Sequence, residues 1–213
     1  MTMSVSDSTT KGKPPLKTKT ASSRKAGGSR KSSKGKKKVT FGLDLGTLFS
    51  CYVKKLPKPD SEDSAATIIP SVVGYAEEGI LSGILPSNNS TLFGDEALAN
   101  ELHLRLAYPL SDGVVSDIDS ANLFLKHVRS RLDPEGEAEV LAVIGVPAVA
   151  DASAKDNLKK AAKGAFDGVL FIPEPFLAAL GHRDETRLED SDYQDPVANS
   201  LFIDIGAGTT DFC

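Results

Sequence analysis

Phe202-Ile203-Asp204-Ile205-Gly206-Ala207-Gly208-Thr209 repeats the order of Gly42-Leu43-Asp44-Leu45-Gly46-Thr47: apolar strand, Asp, apolar residue, Gly, then a hydroxyl. Counted from Asp44 to Asp204, the echo lies 160 residues downstream. In each copy the Asp closes a buried strand, and the Gly lets the backbone turn sharply with its N–H groups exposed. Such N–H groups, joined by a Thr hydroxyl, form an anion nest suited to phosphate. A carboxylate beside a phosphate is repulsive unless a cation lies between them. Two such carboxylates, Asp44 and Asp204, therefore imply magnesium held mostly through water. A single copy could be a tight hairpin with an incidental aspartate; the matched pair argues against that reading.

Other phosphate motifs are excluded by inspection. No G-x-x-x-x-G-K-[ST] occurs, and Asp211 stands where a dinucleotide fingerprint needs its third Gly. Thr209-Thr210-Asp211-Phe212 opens a helix poorly, so a returning hairpin strand is expected after the second turn.

Working outward, Val39–Leu45 reads as a buried strand and Phe49–Lys54 as its returning partner. Residues 56–66 are a Pro/Asp/Ser loop. Thr67–Tyr75 is β-prone, and a weaker strand is expected near Ile80–Leu85. Asp95–Ala107 is expected as a helix. Asp119 is the expected cap of another helix, with Ala121, Phe124, Leu125, Val128 and Leu132 at helical spacing. Glu139–Val146 has the apolar texture of a central parallel strand. Asp151 caps a helix whose stripe is Leu158, Ala161, Ala162, Ala165 and Phe166. Val169–Ile172 is a short strand, and Pro175 suits the first turn of a helix ending near Leu180. Residues 183–198 form an acidic loop, and Asn199–Ile205 is the last strand. Strands followed by strand–helix alternation give an α/β layer fold with a mixed sheet and flanking helices.

The chain of 213 residues has a net charge of −4 that conceals two unlike halves. Residues 1–38 carry 12 Lys/Arg and one acid, Asp7; the remainder carries 13 basic and 28 acidic residues. The first 38 residues have almost nothing to bury and are expected to stay disordered. Their charge suits an anionic membrane surface or another polyanion, or serves solubility alone. No apolar run approaches the roughly 20 residues of a membrane helix, and no secretory h-region is visible. Two cysteines, Cys51 and Cys213, are too few for a disulfide framework or metal cluster, which points to a reducing, cytoplasmic setting. Cys51 reads as a small core residue. His103, His127 and His182 read as surface residues.

Asp44-Leu-Gly-Thr47 and Asp204-Ile-Gly-Ala-Gly-Thr-Thr-Asp211 resemble the two phosphate motifs of the actin-like ATPase superfamily. Val143-Ile-Gly-Val-Pro147 and Glu174-Pro-Phe-Leu-Ala-Ala-Leu-Gly181 are similar to the segment that joins them. The resemblance runs continuously over about residues 39–213. About 95 residues separate the first motif from the strand before Val146-Pro147, too few for the larger insertion of the heat-shock chaperone ATPases. Phe93-Gly-Asp-Glu-Ala97, Tyr108-Pro-Leu-Ser-Asp-Gly-Val-Val-Ser-Asp117 and Pro70-Ser-Val-Val-Gly-Tyr75 resemble the bacterial MreB/MamK branch, its magnetosome-organising MamK members more closely.

The resemblance implies an actin-like, ribonuclease H-like fold that binds ATP and Mg2+ between two domains. It divides the chain into a basic tail (1–38), domain I (39–198) and the start of domain II with the second phosphate hairpin (199–213). It also implies head-to-tail filaments of like subunits, timed by ATP hydrolysis, in a cytoplasmic cytoskeleton associated with magnetosomes and their proteins. Glu174, held between Pro173 and Pro175 at a helix mouth, is the expected water-activating residue, with Asp204 beside the attacking water. Asp44 and Asp204 are the metal-side carboxylates. Gly46, Thr47, Gly206, Gly208, Thr209 and Thr210 are the phosphate contacts, and Asp211 contacts phosphate or braces the hairpin.

Because the second hairpin ends the sequence, the sequence reads as the N-terminal part of a larger protein, and this chain alone is expected to hydrolyse ATP weakly. An MreB-like cell-shape filament protein is the nearest alternative. A monomeric chaperone-type ATPase or phosphotransferase on the same fold is another, and a polyanion-binding module with a vestigial ATPase a third. The long basic tail and the extended loop at 183–198 depart from the branch's usual pattern.

Overall fold

The strand that carries Asp44 lies at the centre of the larger sheet. The computed structural model describes residues 36–54 and 66–212. Most of the basic tail, the Pro/Asp/Ser loop up to residue 65 and Cys213 lie outside the described residues. The elements begin with β1 (Lys38–Leu45), β2 (Phe49–Lys54), β3 (Thr67–Pro70), β4 (Val73–Ala76), β5 (Thr91–Phe93) and α1 (Gly94–Ala99). There follow β6 (Leu104–Ala107), β7 (Leu110–Ser111), β8 (Val114–Val115), α2 (Ile118–Leu132), β9 (Glu139–Val146) and α3 (Ala152–Ala162). The last are β10 (Gly168–Pro173), α4 (Glu174–Gly181), α5 (Pro196–Asn199), β11 (Ile203–Ile205) and β12 (Thr210–Phe212).

Five strands form a mixed sheet in the order β10-β9-β1-β2-β3. β1 runs parallel to β9 and antiparallel to β2, while β9 and β10 are parallel. Alternation along β1 turns Phe41, Leu43 and Leu45 into the core, and β9 adds Val140, Ala142, Ile144 and Val146. Against this face pack α2 and α3, whose stripes bury Ala121, Phe124, Leu125, Val128, Leu158 and Ala161. Ala165 and Phe166, beyond the end of α3, are buried in the same core. The Arg129 guanidinium donates to Asp167 at 2.9 Å, and the same carboxylate oxygen accepts the Val140 N–H at 2.8 Å. The pair ties α2 to the start of β9.

Six sequence expectations give way locally. Thr67–Tyr75 breaks at Ser71-Val72 into β3 and β4, which belong to different sheets. Residues 80–85 form turns, without a strand. The helix expected over Asp95–Ala107 stops at Ala99, because Leu104–Ala107 pairs antiparallel with β4 in a small sheet of order β5-β4-β6. Tertiary strand pairing overrides local helix preference there. The cap of α2 is Asp117, which accepts the Ser120 N–H at 3.0 Å; Asp119 sits in the first turn. The acidic stretch 183–198 is folded: Arg183 donates to Asp195 at 2.7 Å, and α5 begins within it. α5 also takes up Asn199, which shortens the expected last strand to Ile203–Ile205.

Candidate functional site

β1 ends at Leu45, and Gly46 turns the chain so tightly that a Cβ there would collide with the Phe49 carbonyl. Beneath this turn Ser71 Oγ donates to the Gly46 carbonyl at 2.7 Å, and Ser50 Oγ lies 2.8 Å from Ser71 Oγ. With the Ser71 proton spent on Gly46, Ser50 is the donor of that second bond. Both serines are fully buried, so the chain holds the turn from inside the core.

The second turn closes when the Gly206 N–H donates to the Thr209 carbonyl at 2.9 Å, and β11 and β12 pair Asp204 with Asp211. Asp211 is 4 % exposed and accepts the Ala148 N–H at 3.0 Å. That bond fastens the hairpin to the segment after β9, so Asp211 does brace the hairpin.

A third loop, given no place in the site by the sequence, locks the two turns together. Asp112 and Gly113 between β7 and β8 both adopt positive φ, 50° and 74°. The Gly113 N–H donates to Thr47 Oγ1 at 3.0 Å. A Cβ on Gly113 would sit 2.6 Å from the Thr209 methyl, and one on Gly208 would sit 2.5 Å from Thr47 Oγ1. The three loops therefore touch with no room for another carbon. The sequence hints were the Asp-Gly dipeptide, an ordinary turn signal, and the resemblance of Tyr108–Asp117 to the MreB/MamK branch, neither of which placed the loop at the site.

These loops surround a cleft of about 170 Å³ lined by Asp44, Gly46, Thr47, Gly113, Glu174, Asp204, Gly206, Gly208 and Thr209. Of the residues expected to contact phosphate, Thr210 alone is not in this lining; it is exposed and pairs with Ile205 in the hairpin. Glu174 opens α4 behind Pro173. Asp44 keeps contact with water at the cleft surface, yet the protein crowding it, and secondarily the charge of Asp204, raise its pKa above the ordinary carboxylate value. Glu174 is pushed from 4.5 to about 7, first by burial and then by Asp44, Asp204 and Asp211.

Among the described residues, no Lys or Arg lines the cleft. The raised proton affinity of Asp44 and Glu174 is that of carboxylates crowded together without a nearby cation. The described residues contain no cluster of three or more side chains arranged as a complete metal cage. That donor set fits a hydrated magnesium ion, held by one or two carboxylates and phosphate oxygens, and not an all-protein site.

Two minor expectations change. Cys51 lies on the outer face of the sheet, in a groove it shares with Gly42, Val53, Val143 and Leu177, and burial with the Asp44 charge pushes its thiol pKa up. His127 is half-buried and stacks on Phe93, ring centroids 4.4 Å apart; burial lowers its pKa.

The profile of the MreB/Mbl protein family matches residues 39–213, which is β1 through the end of the second hairpin. This chain belongs to the MreB/Mbl family. Among curated relatives of this MreB/Mbl member, the actin-like protein MamK of Paramagnetospirillum magneticum is 34% identical over 183 residues, covering 84% of this chain and 47% of the relative. Among solved structures, a MamK double helical filament superposes with a TM-score of 0.66 at 32% identity, over 83% of this chain and 49% of that one. A non-polymerising MamK mutant bound to AMPPNP gives 0.62 at 32% identity, over 84% and 50%. The fold is thus the actin-like one, and the chain spans about half the length of the relatives it matches.

The Glu174 pKa carries a stability prediction. Its folded value, about 7, lies above the unfolded 4.5, so it contributes stability that is fully present below about pH 4.5 and lost as pH rises through about 7. Glu174→Gln keeps the group neutral at every pH. In EDTA the variant should unfold close to the parent at pH 5 and roughly 3–6 °C higher at pH 8. That corresponds to about 1–2 kcal/mol once solvent screening is discounted. An equal difference at both pH values in thermal melts would contradict the raised pKa.

Proposed function

We propose that this chain is the phosphate-gripping part of an ATP-binding, actin-like filament subunit of the MamK type, cytoplasmic and cytoskeletal, whose polymers organise magnetosomes. The observation that supports it best is the meeting of Asp44, Asp204 and Glu174 with two glycine turns around one cleft. The MamK likeness at 34% identity, with relatives described as filaments and as AMPPNP-bound, points the same way. Among the described residues no helix is long and apolar enough to cross a membrane. The basic segment before β1 supplies, on its charge alone, a contact for anionic surfaces.

The chemistry follows from the side chains. The turns at Gly46 and at Ala207–Thr209 offer backbone N–H groups to phosphate oxygens, while the Gly206 N–H closes its own turn. Thr47, which already accepts the Gly113 N–H, keeps its own proton free to donate to a phosphate. Asp44 and Asp204 hold hydrated magnesium, which when bound neutralises charge on the phosphoryl oxygens. Glu174, with a proton affinity near neutrality, orients the attacking water and takes its proton. Proline on both sides of Glu174 limits the ways its backbone can move.

Calorimetry with Mg-AMPPNP should show binding that EDTA weakens at least tenfold and that Asp44→Ala abolishes. Electron microscopy and pelleting should show polymer that forms with ATP. Binding indifferent to both EDTA and Asp44→Ala would overturn the site, and a protein that binds nucleotide yet never pellets would remove the filament role alone.

A further inference from the structure

Gly145 stands in β9 directly opposite Ile172 of β10, in the run Val140–Val146, otherwise made of Val, Leu, Ala and Ile. Glycine inside a strand weakens it, because it gives up conformational freedom and packs no side chain. Nothing in the backbone demands it: its φ lies outside the left-handed region where glycine is favoured. The reason must be space. β9 turns Ile144 and Val146 into the core, so Gly145 faces the opposite side of the sheet, where α4 begins. A Cβ at Gly145 would lie 2.8 Å from Glu174 Cγ, 3.5 Å from Oε1 and 3.6 Å from Cδ; its three nearest atoms all belong to Glu174.

Glu174 cannot readily retreat. Pro173 and Pro175 restrict the backbone on either side, and Glu174 is the first residue of α4. The contact falls at Cγ, in the middle of the side chain, so rotation of the carboxylate alone does not relieve it.

We propose that Gly145 is a positioning residue: its missing side chain forms the slot across which Glu174 reaches the cleft, aligned with Asp44 and Asp204. The catalytic part of this inference rests on the proposed ATPase; the slot itself does not. Adding one methyl group would displace the carboxylate by a sizeable fraction of an ångström without touching the phosphate turns. Misplacements of about 1 Å cost roughly a hundredfold in rate when positioning dominates.

The test is a thermal double-mutant cycle combined with kinetics on the full chain. Gly145→Ala should lower the unfolding midpoint of the parent. In the Glu174→Ala background the same change should raise it, because the clash is gone and Ala suits a strand better than Gly. If Gly145→Ala alone does not fold, the double variant should. A drop of similar size in both backgrounds, or failure of both proteins to fold, would overturn the slot. In single-turnover assays Gly145→Ala should slow ATP cleavage about tenfold to a hundredfold, with ADP affinity within about threefold of the parent. Unchanged cleavage, or affinity falling in step with it, would overturn the positioning role. A parent that cleaves no ATP at all counts against the proposed ATPase, and the thermal cycle still decides the slot.

Discussion

Glu174→Gln is expected to slow cleavage of bound ATP by about 10²–10⁴-fold while nucleotide affinity changes by less than about threefold. The amide matches the carboxylate in size, so the Gly145 slot and the two phosphate turns stay filled as before. What disappears is the ability to accept a proton from water. The loss should therefore appear in the chemical step and not in ground-state binding. The same variant should be more stable than the parent at pH 8, since it no longer forces a third charge beside Asp44 and Asp204. A slower but more stable protein is the signature of a group kept under electrostatic stress for its chemistry. Single-turnover phosphate release alongside ADP titration gives both readouts. Cleavage at the parent rate would remove Glu174 from the reaction.

Phe41→Ala should cost about 3–5 kcal/mol of folding stability, a large share of the roughly 5–15 kcal/mol typical of a domain. Phe41 is 1 % exposed in the middle of β1, with its ring centroid 5.2 Å from that of Phe166 at a 58° tilt. Truncation opens a cavity beneath the central strand and removes an aromatic pair, itself worth about 0.5–1.5 kcal/mol. The strand is hydrogen-bonded on both edges, to β2 and β9, so it has little freedom to collapse into the void. Because Asp44 lies three residues further along β1, the variant should also bind nucleotide more weakly at temperatures where it is still folded. Urea unfolding is the measurement, and a loss below about 1 kcal/mol would mean that the core repacks around the gap.

Much of the site was legible in the chain because its chemistry is local. Although remote partners hold the first turn, Asp44-Leu-Gly-Thr47 and Asp204-Ile-Gly-Ala-Gly-Thr209 each carry the acid, glycine and hydroxyl of a turn within a few residues, so composition and order suffice to place the turns. The same is true of Asp151, whose carboxylate accepts the Ala154 N–H at 2.7 Å, and of Glu174 between its prolines. The misread segments are those where a distant strand decides. Leu104–Ala107 carries a helical pattern yet serves as an edge strand, because β4 offers a ladder that nearby residues cannot. Thr67–Tyr75 looks like one strand, but Ser71 is drawn down to the Gly46 carbonyl and splits it. Asp119 stands two positions after the true cap, Asp117, which gains a second partner in the Ser120 hydroxyl at 2.6 Å, a bond that also lowers its pKa.

The order of residues alone determined that two glycine turns, a proline-flanked acid and an α/β layer exist in this protein, since each follows from backbone geometry within a short window. Only the folded chain decided that they share one cleft. The parallel pairing of β1 with β9 brings Leu43 beside Ile144, about a hundred residues apart in sequence, and sets Asp44 within electrostatic reach of Glu174. The Asp112-Gly113 turn, the buried Ser50–Ser71 support and the slot at Gly145 exist only as contacts between remote segments. Close packing made them: where three loops meet without room for a methyl group, the identity of each residue is set by neighbours that no local pattern names.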